Sequence, residues 1–266
     1  MSGAAPTVLF EKRAERAEHL ARENAAAAEP LRFAAALFRL QGLLASALAA
    51  RHRDAPLTGR LEEDAARLAD LAEKLFAFAE SDGPPELAEE AATRRADDPE
   101  TQRSRLLLYW DGGREAAGDY LSRALLRPYV ETLARAGVMP GRRHPEGHCP
   151  SCGGRPIVSF RRSDPETHGA ARFLVCGLCG TEWPVNRIRC PSCGEEDPSK
   201  LPTFQSETLP GTRIEACDVC RRYVKSVDLT VDGRPIPEVD DLASIAMDLW
   251  AIEQGYERIE PGWAGI

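Results

Sequence analysis

From Arg60 to Glu80 apolar residues recur at Leu61, Ala65, Leu68, Ala72, Leu75 and Ala79. The steps alternate between four and three, which lines one face of a helix and predicts an unbroken helix over residues 60–80. The preceding run, PLRFAAALFRLQGLLASALAARH, is apolar on nearly every side, as expected of a central helix covered by others. Pro30 suits its first turn, and DAPLTG closes the connection. Further helices are expected over residues 10–28, 86–96, 101–110 and 114–135, with Pro128 ending or kinking the last. These segments predict a helical bundle over residues 1–140.

The pattern changes at GVMPGRRHPEGHCPSCGG, where glycine and proline crowd together and a domain boundary belongs. Beyond it RPIVSFRR and ARFLVC flank the turn SDPETHG, and LPTFQSE and RIEAC flank TLPG. Each pair predicts a β-hairpin. A third strand is expected where Tyr223, Val227, Leu229 and Val231 fall on one face of a period-two pattern. In DDLASIAMDLWAIEQGY, Asp240 or Asp241 can cap a helix whose Leu242, Ile245, Ala246 and Leu249 form one stripe, with Gly255 ending it. The fold class is therefore α+β: an N-terminal helical bundle, two tandem rubredoxin-like or zinc-ribbon modules over 141–188 and 189–232, and a C-terminal helix and tail over 233–266.

The modules are called metal modules because of the cysteines. All eight, Cys149, Cys152, Cys176, Cys179, Cys190, Cys193, Cys217 and Cys220, fall in C-x2-C pairs, and the last four repeat the first four at an offset of 41. CPSCG itself occurs twice, and Arg172, Phe173 and Leu178 correspond by the same offset to Arg213, Ile214 and Val219. A thiolate pair on a tight turn grips one side of a metal ion, and two such turns complete a tetrahedron. Four pairs combine into two sites in three ways. Duplication of a complete unit favours Cys149, Cys152, Cys176 and Cys179 on one ion and the other four on a second. Closed four-thiolate sites are usually structural, while tetrahedral sulfur also suits redox-active iron. Spacing does not choose between zinc and iron. Glycine after Cys152, Cys179 and Cys193 supplies backbone freedom at the turns.

Composition narrows the function classes. The net charge is −8, and two divalent ions held by eight thiolates would take it to about −12. Between residues 141 and 230, thirteen Lys and Arg stand against eleven Asp and Glu, so a nucleic-acid surface would depend on a local patch such as Arg142–Arg143, Arg161–Arg162 or Arg221–Arg222. No nucleic-acid partner is expected. The N-terminus turns charged within ten residues and shows no cleavable signal pattern, so a cytoplasmic address is expected. Arg32, Arg39 and Gln41 interrupt the apolar run, so no membrane span is expected. In a reducing compartment paired C-x2-C motifs favour metal over disulfides. His144, His148 and His168 lie near the cysteines, but eight thiolates already fill two tetrahedra. Trp183 and Tyr223 are more simply core aromatics than partner anchors. No G-x-S-x-G, Walker loop or H-E-x-x-H occurs, so no catalytic residue is assigned and an enzyme is not expected.

HCPSCGGRPIVS, RFLVCGLCGTEWPVNRIRCPSCG, ACDVCRRYVK and DDLASIAMDLWAIEQGY, in that order, resemble the formate dehydrogenase accessory proteins, the FdhE family. The resemblance covers the C-terminal half; the helical half agrees in kind. Pro184, after the family's Trp, departs from the pattern. The resemblance implies a cytosolic, non-enzymatic maturation or assembly factor for respiratory formate dehydrogenase. It also implies that the four C-x2-C motifs bind two metal ions, iron before zinc, and that the partner is the dehydrogenase's catalytic subunit. An independent rubredoxin-like electron carrier is the alternative, followed by a nucleic-acid-binding zinc ribbon, and homo-oligomerisation stays open.

Overall fold

The structure is a computed structural model and describes residues 6–112, 118–164 and 169–265. It divides into two compact units, Met1–Ala14 with Ala35–Arg143, and Glu15–Ala34 with His144–Ile266. Residues 15–34, expected within the helical bundle, thus group with the cysteine-bearing half. Within that unit Ala17, Ala27 and Leu31 are fully buried, and Arg16 Nε donates to Asp240 Oδ2 at 3.0 Å and Asn24 Nδ2 to the Ala243 carbonyl at 2.7 Å.

The helical elements are α1 (Pro6–Glu23), α2 (Ala28–Asp54), α3 (Leu61–Asp64), α4 (Ala69–Asp82), α5 (Pro85–Ala96), α6 (Pro99–Trp110) and α7 (Tyr120–Ala136). The first unit's core includes Phe10, Leu37, Phe38, Leu44, Leu48, Leu68, Leu75, Trp110, Leu125, Tyr129 and Leu133. The run expected as one helix over 60–80 is broken: α3 passes into a 3-10 turn, Ala65–Leu68, before α4 begins. Asp64 sits at the break. Its buried carboxylate accepts from Thr58 N–H, Gly59 N–H and the Tyr129 hydroxyl, the last at 2.7 Å. These bonds fold the preceding loop back onto the chain, while the apolar stripe stays buried at Leu61, Leu68, Ala72, Leu75 and Ala79.

Pro128 does not end its helix, because α7 continues to Ala136. A proline there removes the N–H that would bond the carbonyl four residues back, which is Ala124. Gln41 Nε2, from α2, donates to that carbonyl at 2.9 Å in a buried setting. The one buried amide of the apolar run and the one proline of α7 thus answer each other. Residues 25–54 are long and apolar enough to cross a membrane by length and composition alone, but half of the most apolar window is buried inside the protein. The expected helix over 114–135 begins at Tyr120; residues 113–117 lie outside the described set.

The second unit is built on one seven-stranded sheet. Its strands are β1 (Pro156–Asp164), β2 (Gly169–Cys176), β3 (Glu182–Val185), β4 (Thr203–Gln205), β5 (Thr212–Cys217), β6 (Arg222–Asp228) and β7 (Glu257–Arg258). The order is β3-β2-β1-β6-β5-β4, with β7 also on β6. Both expected hairpins form, β1 with β2 and β4 with β5, antiparallel. The expected third strand is β6, but it stops at Asp228. Val231 is 92% exposed, and Tyr223 to Val227 are all buried, so the strand is covered on both faces and does not alternate.

The C-terminal helix is two helices, α8 (Pro237–Ala243) and α9 (Ile245–Glu253), interrupted at Ser244. Asp240 accepts from Ile236 N–H inside α8, and Asp241 is buried, so neither caps a single helix at its start. Leu242, Met247 and Ala251 are buried while Leu249, expected on the buried stripe, is 53% exposed. Met247 and Ala251 join Ile214, Ala216, Tyr223 and Tyr256 in one core cluster. A buried ionic group also ties these helices to the sheet. Arg258 reaches both Asp241 and Asp248 at 2.8 Å, Lys225 Nζ pairs with the same two carboxylates, and the Tyr223 hydroxyl donates to Asp248.

Candidate metal centres

Each repeat brings its own four cysteines together. Cys149, Cys152, Cys176 and Cys179 form one cluster and Cys190, Cys193, Cys217 and Cys220 the other, with the sulfurs of each all within 4.8 Å of one another. Diagonal pairs lie at 3.5 Å (Cys149–Cys179), 3.4 Å (Cys152–Cys176) and 3.7 Å (Cys190–Cys220 and Cys193–Cys217). A disulfide would need about 2.05 Å, and all eight cysteines are free. A tetrahedron of sulfurs about 2.3 Å from a central ion has edges near 3.8 Å. The donor set, the grouping and the spacing all fit one metal ion per cluster.

The four turns that carry the cysteines are built alike. Cys149 N–H donates to the Gly154 carbonyl and Gly153 N–H to the Cys149 carbonyl; Cys190 with Glu195 and Gly194 with Cys190 repeat the pair 41 residues on. Gly180 N–H donates to the Cys176 carbonyl and Arg221 N–H to that of Cys217, again in register. Each turn therefore ends on a left-handed residue, at φ 68° for Gly153, 70° for Gly180, 79° for Gly194 and 56° for Arg221. Arg221 is the only non-glycine at positive φ among the described residues. It is held there by Asp218 at 3.1 Å, by the Gln254 carbonyl at 2.6 Å and by the Tyr256 ring, 3.9 Å from its guanidinium.

Amides of Ser151, Leu178, Cys179 and Ser192 point at sulfur at 3.4 Å. Burial pushes the Cys176 and Cys190 thiols up, whereas hydrogen bonds from its three neighbours hold Cys149 down. Binding of a metal ion by thiolates would couple to release of the thiol protons. The clusters differ in access. All four cysteines of the first are buried; in the second Cys193 is exposed and Cys220 half-buried. A Cβ on Gly154 would lie 2.7 Å from Cys176 Sγ, so backbone closes over the first cluster where only glycine fits. The equivalent position beside the second is Glu195.

The histidines stand outside both clusters. His144 is exposed, His148 Nδ1 lies 3.2 Å from the Glu146 carbonyl, and His168 is outside the described residues. Trp183 is half-buried on β3 and Tyr223 is core.

With this geometry in place, comparison with known proteins decides the lineage. Residues 148–187 match the family model "FdhE, central domain" and residues 188–262 match "FdhE, C-terminal domain". A crystal structure of the FdhE protein from Pseudomonas aeruginosa superposes with a TM-score of 0.72, covering 99% of this chain and 97% of that one at 25% identity. The chain belongs to the FdhE family. Curated FdhE homologues agree: one from Aquifex aeolicus is 38% identical over 140 residues, and one from Stutzerimonas stutzeri 31% over 194. The matches span 49% and 62% of those relatives and 53% and 70% of this chain. Both FdhE family models fall on the cysteine half, as the quoted motifs do.

Sequence reasoning did not find three features of the site. The two ribbons fuse into one sheet, the second cluster is the open one, and Arg221 occupies a position where the other three turns use glycine. The last was visible as the missing fourth glycine after a C-x2-C pair.

Proposed function

We propose that this FdhE-family chain is an accessory protein for respiratory formate dehydrogenase. It binds the dehydrogenase's catalytic subunit in the cytosol and supports its maturation or assembly without itself being the dehydrogenase. What carries the reading is the pairing of an FdhE-type fold with two complete four-cysteine clusters on a single sheet. In this reading all eight cysteines are ligands, residues 141–188 and 189–232 are the metal modules, and residues 1–140 and 233–266 flank them. Each cluster holds one ion, iron before zinc. Iron would supply one-electron chemistry and zinc a structural cross-link. The chain's own part is to fix the sulfurs on four turns, of which the Cys176 turn follows β2 and the Cys217 turn joins β5 to β6, so that the sheet presents a rigid face to the client.

The test replaces Cys190 and Cys193 with serine in a strain whose only copy is the variant. Cellular formate oxidation is expected to fall while dehydrogenase polypeptide is still made and the accessory protein is still present on an immunoblot. Normal formate oxidation with a variant shown to be metal-poor would count against the proposal.

The exposure of Cys193 and Cys220 gives some support to the second reading, a rubredoxin-like electron carrier. A reversible iron potential in a chain that binds no catalytic subunit would favour it. The nucleic-acid reading loses ground, because Arg161, Arg162, Arg221 and Arg222 are paired with Asp228, Glu182, Asp218 and Glu257.

A further inference from the structure

The two clusters share donors and spacing but not cover. In the first, Cys149, Cys152 and Cys176 have no exposed surface and Cys179 keeps 7%. Three residues close it in. Gly154 lies over Cys176, Gly177 lies against the buried Glu260, whose Cγ would stand 3.1 Å from a Cβ there, and Leu178 is 2% exposed. At the offset of 41 these positions hold Glu195, Asp218 and Val219. The Glu195 carboxylate accepts from the amides of Glu196 and Asp197 at 3.1 and 3.0 Å. Asp218 takes the Tyr256 hydroxyl and Arg221, and Val219, between Cys217 and Cys220, is 54% exposed. Cys190 and Cys217 stay buried, Cys193 is exposed and Cys220 half-buried. The open edge of the second cluster thus carries one sulfur from each of its two turns.

Access of this kind decides how a bound ion can leave. A tetrahedral site can take a fifth donor before it loses one of its four, so exchange by an outside ligand needs a path of entry. The first cluster, buried on all four ligands, offers none; the second offers one along Cys193 and Cys220. Soft sulfur is the donor class that competes with thiolates for the same ion.

We propose that the second cluster is a metal-exchange site, passing its ion to external thiolates, while the first cluster keeps its own. The inference rests on the reading of both clusters as metal centres. Cys193 is the first ligand to leave and Cys220 the second; Cys190 and Cys217, behind the open edge, let go last. At each step an incoming sulfur forms a bond to the ion and a cysteine sulfur gives one up. The freed cysteine takes the proton that the incoming thiol released. No oxidation state changes, so neither an oxidant nor a reductant is required. The thiolates come from a small free thiol or from the dithiol of another protein.

The experiment loads the full chain with two zinc ions, which keep oxidation and reduction out of the readout. The loaded chain is mixed with rising concentrations of a short C-x2-C peptide and, separately, of glutathione. Native mass spectrometry follows the ions retained, and iodoacetamide then marks the cysteines set free. Transfer is expected to stop with one ion retained, at an initial rate proportional to thiol concentration, with label on Cys190, Cys193, Cys217 and Cys220. Faster transfer to the peptide identifies a protein dithiol as the acceptor, and faster transfer to glutathione a free thiol. No transfer, loss of both ions together, a rate independent of thiol concentration, or label on the first four cysteines would overturn the proposal. A chain that takes up fewer than two ions before mixing would overturn the metal reading beneath it. A chain that exchanges one ion as expected but retains no catalytic subunit would count against the accessory reading alone.

Discussion

At the residue scale, two side chains that looked like exceptions to the helical pattern explain each other. Gln41 interrupts an apolar run and Pro128 sits inside a helix, and both were legible in the sequence. Their bond was not, because the carbonyl that Pro128 leaves unpaired belongs to Ala124, and only packing of α2 on α7 brings Gln41 to it. Gln41→Leu should therefore cost about 1–2 kcal/mol, the price of a buried carbonyl without a donor. In a Pro128→Ala background the helix supplies its own N–H, and the same change should cost much less. A double-mutant cycle by urea unfolding reads the difference, and additive costs would break the link. The grouping of the eight cysteines was equally legible, since the duplication groups them as the structure does. Their unequal exposure was not, because it depends on Gly154 closing over one cluster. On mixing with a chelator, one ion should leave before the other, and mass spectrometry of alkylated protein should find Cys193 and Cys220 labelled first. Simultaneous loss with even labelling would contradict the inequivalence.

At the element scale, hairpins could be read from alternation but their union could not. β1 pairs in parallel with β6, Ser159 opposite Ser226, and no local pattern announces a partner so distant in the chain. β6 hides the signal further by burying Lys225 as well as Tyr223 and Val227. The union is head-to-tail: the first strand of one repeat pairs with the third strand of the other. Among the described residues the same two kinds of edge have no further strand partner, β3 at one end and β4 at the other. Such an interface repeats without closing unless its edges are blocked. Here β4 has three residues and β3 carries Pro184, a residue tolerated on an edge because it offers no ladder N–H. Pro184 thus has a physical use at this edge. Pro184→Val should promote concentration-dependent self-association, measured by sedimentation velocity; a variant as monodisperse as the parent would show that β3 is blocked by something else. Glu215, clasped by Arg172 at 2.7 Å and by Arg213 at 3.0 Å, makes a second prediction at this join. Its folded pKa is depressed, so its stabilisation is present above the usual glutamate value near 4.5 and is lost as pH falls through the folded value. Unfolding between about pH 5 and 3 should steepen in the parent more than in Glu215→Gln.

At the scale of the whole molecule, the α+β class, a helical N-terminal part followed by a sheet with two four-cysteine clusters, was legible in the sequence, whereas the grouping of residues 15–34 with the cysteine-bearing unit was not. Those residues are helical by any local measure, and their partners lie far off in the chain: Arg16 meets Asp240 and Asn24 meets the Ala243 carbonyl, more than 200 residues away. The DDLASIAMDLW stretch reads similarly. Its apolar spacing suggested one helix, but Asp241 and Asp248 are spent on Arg258 and Lys225, and the chain breaks at Ser244 to bring both inward. These contacts make the second unit one body of sheet, clusters and C-terminal helices, which is the scaffold the proposed function requires. The most direct test is capture of the formate dehydrogenase catalytic subunit from cell extract on the tagged, metallated chain, compared with Cys190→Ser/Cys193→Ser. The account predicts capture by the parent and loss of capture by the variant at equal loading. Failure of the parent to retain a catalytic subunit shown to be in the extract, or equal capture by both, would contradict it.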